Sequence, residues 1–267
     1  MGTPEVERVL GVALECARSA GEVLRRTSLA GFTVSSKSAH HDLVTSADLE
    51  SEKLIVETIR ASFPDHDIEA EELKYPKTGS RWVWHVDPID GTVNYAKGVP
   101  FYCVSVGVTR DGEPIVGVVH DPSRGETFWA TSRGGAFLDG RSIRVTRSME
   151  MRDALLATGF HYDRGRPMLD TLRTIERFLL GGIVEVRRIG SAALELAYVA
   201  AGRLDGFWEH RLKSWDLAAG ILLVREAGGR ATDRDGHDLS VTESFTVASN
   251  GLLHDRMIEV IRSVGEG

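Results

Sequence analysis

The residues best suited to chemistry lie in Val86-Asp87-Pro88-Ile89-Asp90-Gly91-Thr92, where an apolar run gives way to acids, a glycine and a hydroxyl. The run before it, Trp82-Val83-Trp84-His85-Val86, is β-rich and almost wholly apolar, the pattern of a strand buried on both faces. Asp87-Pro88 is expected to end that strand, because proline has no N–H to give a sheet and restricts the residue before it. Asp87 and Asp90 can then turn their carboxylates toward one point around the bend. Two carboxylates that close repel each other unless a proton or a cation sits between them. Gly91 permits close backbone approach, and its N–H and that of Thr92 can face an anion if a helical turn begins there. Acids for a metal, followed at once by donors for a phosphate, point to phosphate-ester chemistry.

Further acids stand elsewhere in the chain. Asp48 follows Thr45-Ser46-Ala47 in the expected first turn of a helix, and Asp216 follows Trp215 in another. Each alone complements a helix dipole, an effect of a few tenths to about 1 kcal/mol. Glu71 lies in Ile68-Glu69-Ala70-Glu71-Glu72, which by itself reads as a solvated acidic loop. As a set, Asp48, Glu71, Asp87, Asp90 and Asp216 occupy helix starts and a strand end, where ligand sites collect in α/β folds. Their donors are all oxygen, which suits magnesium or manganese rather than zinc. Cys16 and Cys103 are far apart, without a CxxC partner, and read as buried, reduced thiols. The nine histidines show no ligand spacing, and nothing supports a Ser/Cys–His nucleophile.

The elements that must position these acids can be read from periodicity and punctuation. Apolar positions from Val6 to Leu24 recur with a helical period, so residues 4–26 form an amphipathic helix opening on Pro4. The polar stretch 35–41, with Lys37, His40 and His41, reads as a solvated loop ahead of a lid over a site. A helix runs from the Thr45 cap to about Ser62 and stops before Pro64. Residues 102–108 and 115–119 flank Asp111-Gly112 as a hairpin. Residues 126–131 and 143–146 are further strands, separated by Gly134-Gly135 and Asp139-Gly140, and the sheet is antiparallel or mixed. Beyond residue 148 strands and helices alternate: strand 154–159, helix 167–180, strand 184–187, then an alanine-rich helix capped by Ser191 and ending near Gly202. Strand 204–208 precedes a helix over 215–227, capped by Ser214 and stopped by Gly228-Gly229. A last strand, 246–249, leads to a C-terminal helix capped by Asn250. The expected organisation is an α+β half (residues 1–147) packed on an α/β half (residues 148–267), with no separating linker.

Bulk properties exclude several classes. The formal net charge of -7 argues against a general nucleic-acid binder, although metal ions can supply local positive charge for a phosphorylated ligand. No stretch approaches the roughly 20 apolar residues of a spanning helix. The N-terminus has no basic region leading into an apolar core, so no secretory signal is read and a cytoplasmic location is expected.

Four stretches together carry a resemblance. Asp42-Leu43-Val44-Thr45-Ser46-Ala47-Asp48, Ala70-Glu71-Glu72, Asp87-Pro88-Ile89-Asp90-Gly91-Thr92-Val93-Asn94-Tyr95 and Trp215-Asp216-Leu217-Ala218-Ala219-Gly220, with Glu226-Ala227-Gly228-Gly229, resemble the inositol monophosphatase family in order and spacing. The resemblance implies a layered αβαβα sandwich of the sugar-phosphatase type, usually a homodimer, with Mg2+ (Mn2+ as a substitute) between the halves. It implies that Glu71, Asp87 and the backbone carbonyl of Ile89 hold one metal, and that Asp87, Asp90 and Asp216 hold a second. Asp48 and Thr92 would orient and help deprotonate the attacking water, with Glu71 contributing. The amides of Gly91 and Thr92 would bind phosphate, Ser191 and Ala192 would line the pocket, and Glu209 would touch substrate hydroxyls. Ala70, Val93 and Ser191 depart from the residues common there (glycine and two threonines), and none removes an implied ligand. The implied activity is hydrolysis of a small polyol phosphate, with myo-inositol 1-phosphate first and histidinol phosphate or fructose 1,6-bisphosphate as alternatives. A dimeric scaffold or regulatory protein without turnover is the reading from another class. Neither a membrane nor a nucleic acid is expected as a partner.

Overall fold

Thr3 accepts the Val6 N–H and Pro4 fills the first turn, so the chain enters its first helix at once, in a computed structural model that describes residues 3–36, 43–161 and 164–264. That helix, α1 (Pro4–Ala30), runs a turn beyond the expected end and stops at Gly31. It is followed by β1 (Val34–Ser36), β2 (Leu43–Thr45), α2 (Ser46–Ser62), β3 (Asp67–Ala70) and β4 (Trp82–Asp90). Then come α3 (Thr92–Lys97), β5 (Cys103–Arg110), β6 (Glu113–Asp121), β7 (Glu126–Thr131), β8 (Gly135–Leu138) and β9 (Arg141–Ser142). The second half contains β10 (Leu155–Thr158), α4 (Arg166–Leu180), β11 (Glu185–Arg187), α5 (Ala192–Ala200) and β12 (Gly206–Leu212). It closes with α6 (Ser214–Glu226), β13 (Arg230–Thr232), β14 (Ser244–Ser249) and α7 (His254–Ser263). Residues 37–42, with Lys37, His40, His41 and Asp42, lie outside the described residues.

These elements stack in five layers. Helices α1 and α2 cover one face of a seven-stranded sheet, ordered β3-β4-β5-β6-β7-β8-β9, which is mixed because β3 runs parallel to β4 and the other pairs are antiparallel. Helices α5 and α6 form the middle layer against its other face. They also pack on a five-stranded sheet, ordered β11-β10-β12-β14-β13, whose far side carries α4 and α7. The middle layer is largely apolar: Leu194, Leu196, Leu217, Ile221 and Leu223 are fully buried. Its approach to the larger sheet is close. Gly107 and Gly117 face each other across β5 and β6, and a Cβ on Gly107 would lie 2.3 Å from the Ala218 Cβ. A side chain there would push α6, and with it Asp216, away from the end of β4.

Several expectations need correction. Pro88 does not end its strand. The pairing moves from Asp87↔Ser105 to Asp90↔Cys103, so a bulge takes Pro88 off the ladder and β4 continues to Asp90. Of the stretch 68–72 expected as a solvated loop, residues 68–70 belong to the edge strand β3, because pairing with β4 supplies the burial that their polar sequence conceals. Residues 143–146 form no strand; Val145 N–H instead reaches the Ala227 carbonyl. Ser214 is the first residue of α6, with Lys213 at the cap position. Asn250 stands before α7, where its side chain accepts the Leu253 N–H. The hairpin at Asp111-Gly112 forms as expected, with φ of 56° and 84°. Both cysteines are buried and free.

Candidate active site

Local sequence places four acids around one cleft. The bulge in β4 turns Asp87 and Asp90 out at the strand's end, and Asp216 arrives in the first turn of α6. Glu71 follows β3, with its N–H on the Val86 carbonyl. Oxygens of Asp87, Asp90 and Asp216 all lie within 4.8 Å of one another. Each carboxylate has one oxygen held by backbone: Asp87 Oδ1 accepts from Ile89 N at 2.9 Å, Asp90 Oδ2 from Ala193 N at 2.6 Å, and Asp216 Oδ2 from Lys213 N at 2.7 Å.

The electrostatics are those of an uncompensated cluster. Burial raises the pKa of Asp87 well above its ordinary value, and Glu71, Asp90 and Asp216 raise it further. Asp216 is raised in the same way, by burial and then by Asp90 and Glu71. Asp90 is raised by burial against the hydrogen bonds from Ser191 and Ala193. Among the described residues, no ion pair gives Asp87, Asp90 or Asp216 a protein cation. Converging, oxygen-only donors with mutual repulsion and no internal counter-ion fit a hard divalent cation.

Asp48 and Thr92 stand behind this cluster. Thr45 caps α2 and donates to Asp48 Oδ2 from both its N–H, at 2.7 Å, and its hydroxyl, at 2.6 Å. That capping box leaves Asp48 Oδ1 turned to Thr92, whose hydroxyl lies 3.4 Å away and donates to the Ile89 carbonyl at 2.9 Å. Gly91, at φ 97°, makes the turn from β4 into α3. A Cβ at Gly91 would meet the Gly190 and Phe101 carbonyls at 3.1 and 3.2 Å, so only glycine lets the two halves close here.

The other wall comes from the second half. The cleft, about 580 Å³, is lined there by Arg188, Ala192 and Glu209. Ser191 heads α5 but does not cap it; its hydroxyl donates to Asp90 Oδ2 at 2.7 Å, fixing a carboxylate across the halves. Burial, with Asp90 adding, pushes the Glu209 carboxyl up to about 8. His161, Arg164, Arg188, Arg211 and Lys213 form a basic rim above the acidic floor.

Several of these residues escaped the sequence reading. Asn94 Nδ2 donates to the Phe101 carbonyl at 2.7 Å and the Ile189 carbonyl at 2.8 Å, tying α3 to the loop before α5. Cys103 lies within 3.8 Å of Asp90 Oδ2, and burial, then Asp90, push its thiol well up. The Glu209 carboxylate occupies the space that a Cβ on Gly159 would need, at 2.1 Å. Asn94 sat inside the quoted motif and could have been singled out. Arg188, Cys103 and Gly159 carry no local signal.

The chain is 39% identical over 233 residues to a Thermotoga maritima protein named fructose-1,6-bisphosphatase/inositol-1-monophosphatase, covering 87% of this chain and 88% of that one. It is 41% identical over 251 residues to the Pseudomonas aeruginosa Nus factor SuhB, covering 92% of each. The solved structure of the extragenic suppressor protein suhB from Bartonella henselae superposes with a TM-score of 0.90 at 35% identity, covering 96% of this chain and 98% of that one. The profile described as the inositol monophosphatase family matches residues 5–266, and the chain belongs to that family.

Proposed function

We propose that the protein is a Mg2+-dependent phosphomonoesterase that hydrolyses a small polyol phosphate, with myo-inositol 1-phosphate as the first substrate to test. The observation that carries this reading is the convergence of Asp87, Asp90 and Asp216 on one point, with no ion pair to a cation among the described residues. In it, Glu71, Asp87 and the Ile89 carbonyl hold one cation, and Asp87, Asp90 and Asp216 hold a second, with Mn2+ as a substitute. A bound divalent cation offsets the charge of a phosphate dianion and makes water more acidic.

The chain's own groups supply orientation and proton acceptance. The Thr92 hydroxyl gives its hydrogen to Ile89, so its oxygen lone pairs can accept from a water in the cleft. Asp48 Oδ1, 3.4 Å from that hydroxyl, accepts the proton the water loses: Thr92 turns its hydrogen from Ile89 to Asp48 as it takes the water's proton, with Glu71 contributing. Gly91 and Thr92 amides hold the phosphate, Ser191 and Ala192 line the substrate pocket, and Glu209 meets the hydroxyls of the leaving alcohol. A homodimer in the cytoplasm accompanies this reading. No helix among the described residues is long and apolar enough to cross a membrane.

A sugar bisphosphate is the second reading, favoured by Arg164 and Arg188 at the cleft, which suit a second anionic group, while Arg211 and Lys213 beside them pair with Glu243. The Thermotoga maritima relative carries both activities in its name. The Nus factor name of other relatives suggests a scaffold role, for which the uncompensated acids would be a needless cost. The test is phosphate release from inositol 1-phosphate, histidinol phosphate, fructose 1,6-bisphosphate and adenosine 3′,5′-bisphosphate, with Mg2+ and with EDTA. Turnover of a polyol phosphate that EDTA abolishes is expected. Silence across the panel, with Mg2+ bound, would overturn the reading in favour of the scaffold.

A further inference from the structure

Helix α5 is apolar along its buried length, with one exception. Ala192, Ala193, Leu194, Leu196, Ala197 and Val199 surround Glu195, which is fully buried. A buried carboxyl without a cation is costly, and an apolar residue of similar size would pack there at less expense. Glu195 must therefore do something an apolar side chain cannot. Its Oε1 accepts the Ile189 N–H at 3.2 Å, while Oε2 has no partner among the described residues. The group whose charge bears on it most is Glu209, and Arg188 acts on both carboxyls.

Ile189 is gripped from both sides. Its N–H is held by Glu195, and its carbonyl accepts from Asn94. The residue before it, Arg188, lines the cleft and lies over the Phe160 ring at 5.7 Å. Two residues on, Ser191 donates to Asp90. The short segment 188–191 thus places a cationic wall residue at one end and a carboxylate anchor at the other, and its register depends on a peptide fixed from beneath.

We propose that Glu195 is a positioning residue for substrate selection: without touching substrate, it sets the 188–191 segment, and through it the Arg188 and Glu209 wall that meets the non-reacting part of the substrate. This rests on the phosphatase reading above. It bears first on the alcohol portion, because Arg188 and Glu209 meet that part, whereas the Gly91 and Thr92 amides lie on the other half and Ser191 is held separately by its own bond to Asp90.

The experiment compares Glu195→Leu and Glu195→Gln with the wild type in Mg2+. One substrate is whichever of myo-inositol 1-phosphate and fructose 1,6-bisphosphate the wild type hydrolyses faster. The other is p-nitrophenyl phosphate, which offers the wall no hydroxyl. Hydrogen exchange of the amides of residues 188–191 is measured on the same proteins. In Glu195→Leu, kcat/KM for the polyol substrate should fall about tenfold, through KM, with p-nitrophenyl phosphate within about twofold of wild type. Exchange over 188–191 should rise about tenfold, as expected for a lost buried hydrogen bond. Glu195→Gln keeps a carbonyl acceptor for Ile189 and should restore both. Equal losses on both substrates, or wild-type selectivity and exchange in Glu195→Leu, would overturn the proposal. Should the wild type hydrolyse neither substrate, the phosphatase reading fails on its own. Exchange then decides the positioning role: faster in Leu and restored in Gln supports it, unchanged in Leu overturns it.

Discussion

Asp67 and Asp87 stand on neighbouring strands, are 3% and 2% exposed, and have opposite surroundings. Asp67 accepts four hydrogen bonds: from the Thr78 N–H at 2.6 Å, the Thr78 hydroxyl at 3.0 Å, and the N–H groups of Gly79 and Ser80 at 3.0 Å each. Burial pushes its pKa up, but those donors together hold it below the ordinary value. Asp87 has the Ile89 N–H and is otherwise ringed by Glu71, Asp90 and Asp216, so every neighbouring charge reinforces burial in raising it. The turn at 78–80 completes its own electrostatics with backbone. Among the described residues, the cleft offers Asp87 no such set of donors. Two buried aspartates in one sheet thus separate a structural acid from a proposed ligand acid by their donors, not by their burial.

Removing a cleft acid breaks this comparison hardest. Asp90→Asn retains a carbonyl oxygen for Ser191 and Ala193 but loses the charge that the cluster contributes to a cation. Mg2+-dependent phosphate release should fall by about a thousandfold or more. Full activity in the variant would remove Asp90 from the metal assignment. The melting temperature in EDTA should not fall, and near neutral pH it should rise, since a repelling charge is gone.

Asp67→Asn should do the reverse, leaving turnover intact and lowering stability. Losing an ionised acceptor of several donors should cost about 2 kcal/mol, or about 4–8 °C in melting temperature for a chain of this size. The pH dependence sharpens the contrast because the signs are opposite. Asp67 has a lowered folded pKa, so its stabilisation is present above the unfolded value of 3.8 and is lost as pH falls. The deficit of Asp67→Asn should close on acidification. Asp90 has a raised folded pKa, so its contribution is favourable below the unfolded value and lost as pH rises. The advantage of Asp90→Asn in EDTA should therefore grow from pH 4 toward neutrality. Melting curves of both variants across that range check it, and parallel pH profiles would dissolve the distinction.

Much of this was legible in the residues, and what was not has a physical cause. Thr45 before Asp48, Asp111-Gly112 between β-rich runs and the helical period of α1 are local signals, and the structure follows them. Pro88 misled because its effect depends on what stands opposite: a strand partner that accommodates a bulge lets β4 pass through a proline. The stretch 68–72 read as solvated because the burial of residues 68–70 comes from β4, more than ten positions later. The types and order of Asp87, Asp90 and Asp216 were visible, but their convergence depends on α6 settling onto Gly107 and Gly117, which no periodicity encodes. Asn94 to Ile189 and Ser191 to Asp90 span about a hundred residues, so only the folded chain reveals them.

Glu209 falls between the two cases and gives the smallest expected effect. It is 9% exposed, has no network of donors like that of Asp67, and is pushed up to about 8 by burial, with Asp90 adding. Below that pH it is a neutral acid that can donate to a substrate hydroxyl; above it, an acceptor only. Glu209→Gln keeps a neutral donor of the same shape, so the ratio of kcat/KM for inositol 1-phosphate to that for p-nitrophenyl phosphate should change by less than about threefold at pH 7. Glu209→Ala removes the contact and should lower the ratio by about tenfold, the effect of one lost hydrogen bond of about 1.4 kcal/mol. In the wild type the ratio should decline as pH rises through about 8, while in Glu209→Gln it should stay flat. A flat wild-type profile would make Glu209 a charged wall residue like its neighbours in the floor, and an unchanged ratio in Glu209→Ala would take it out of substrate selection altogether.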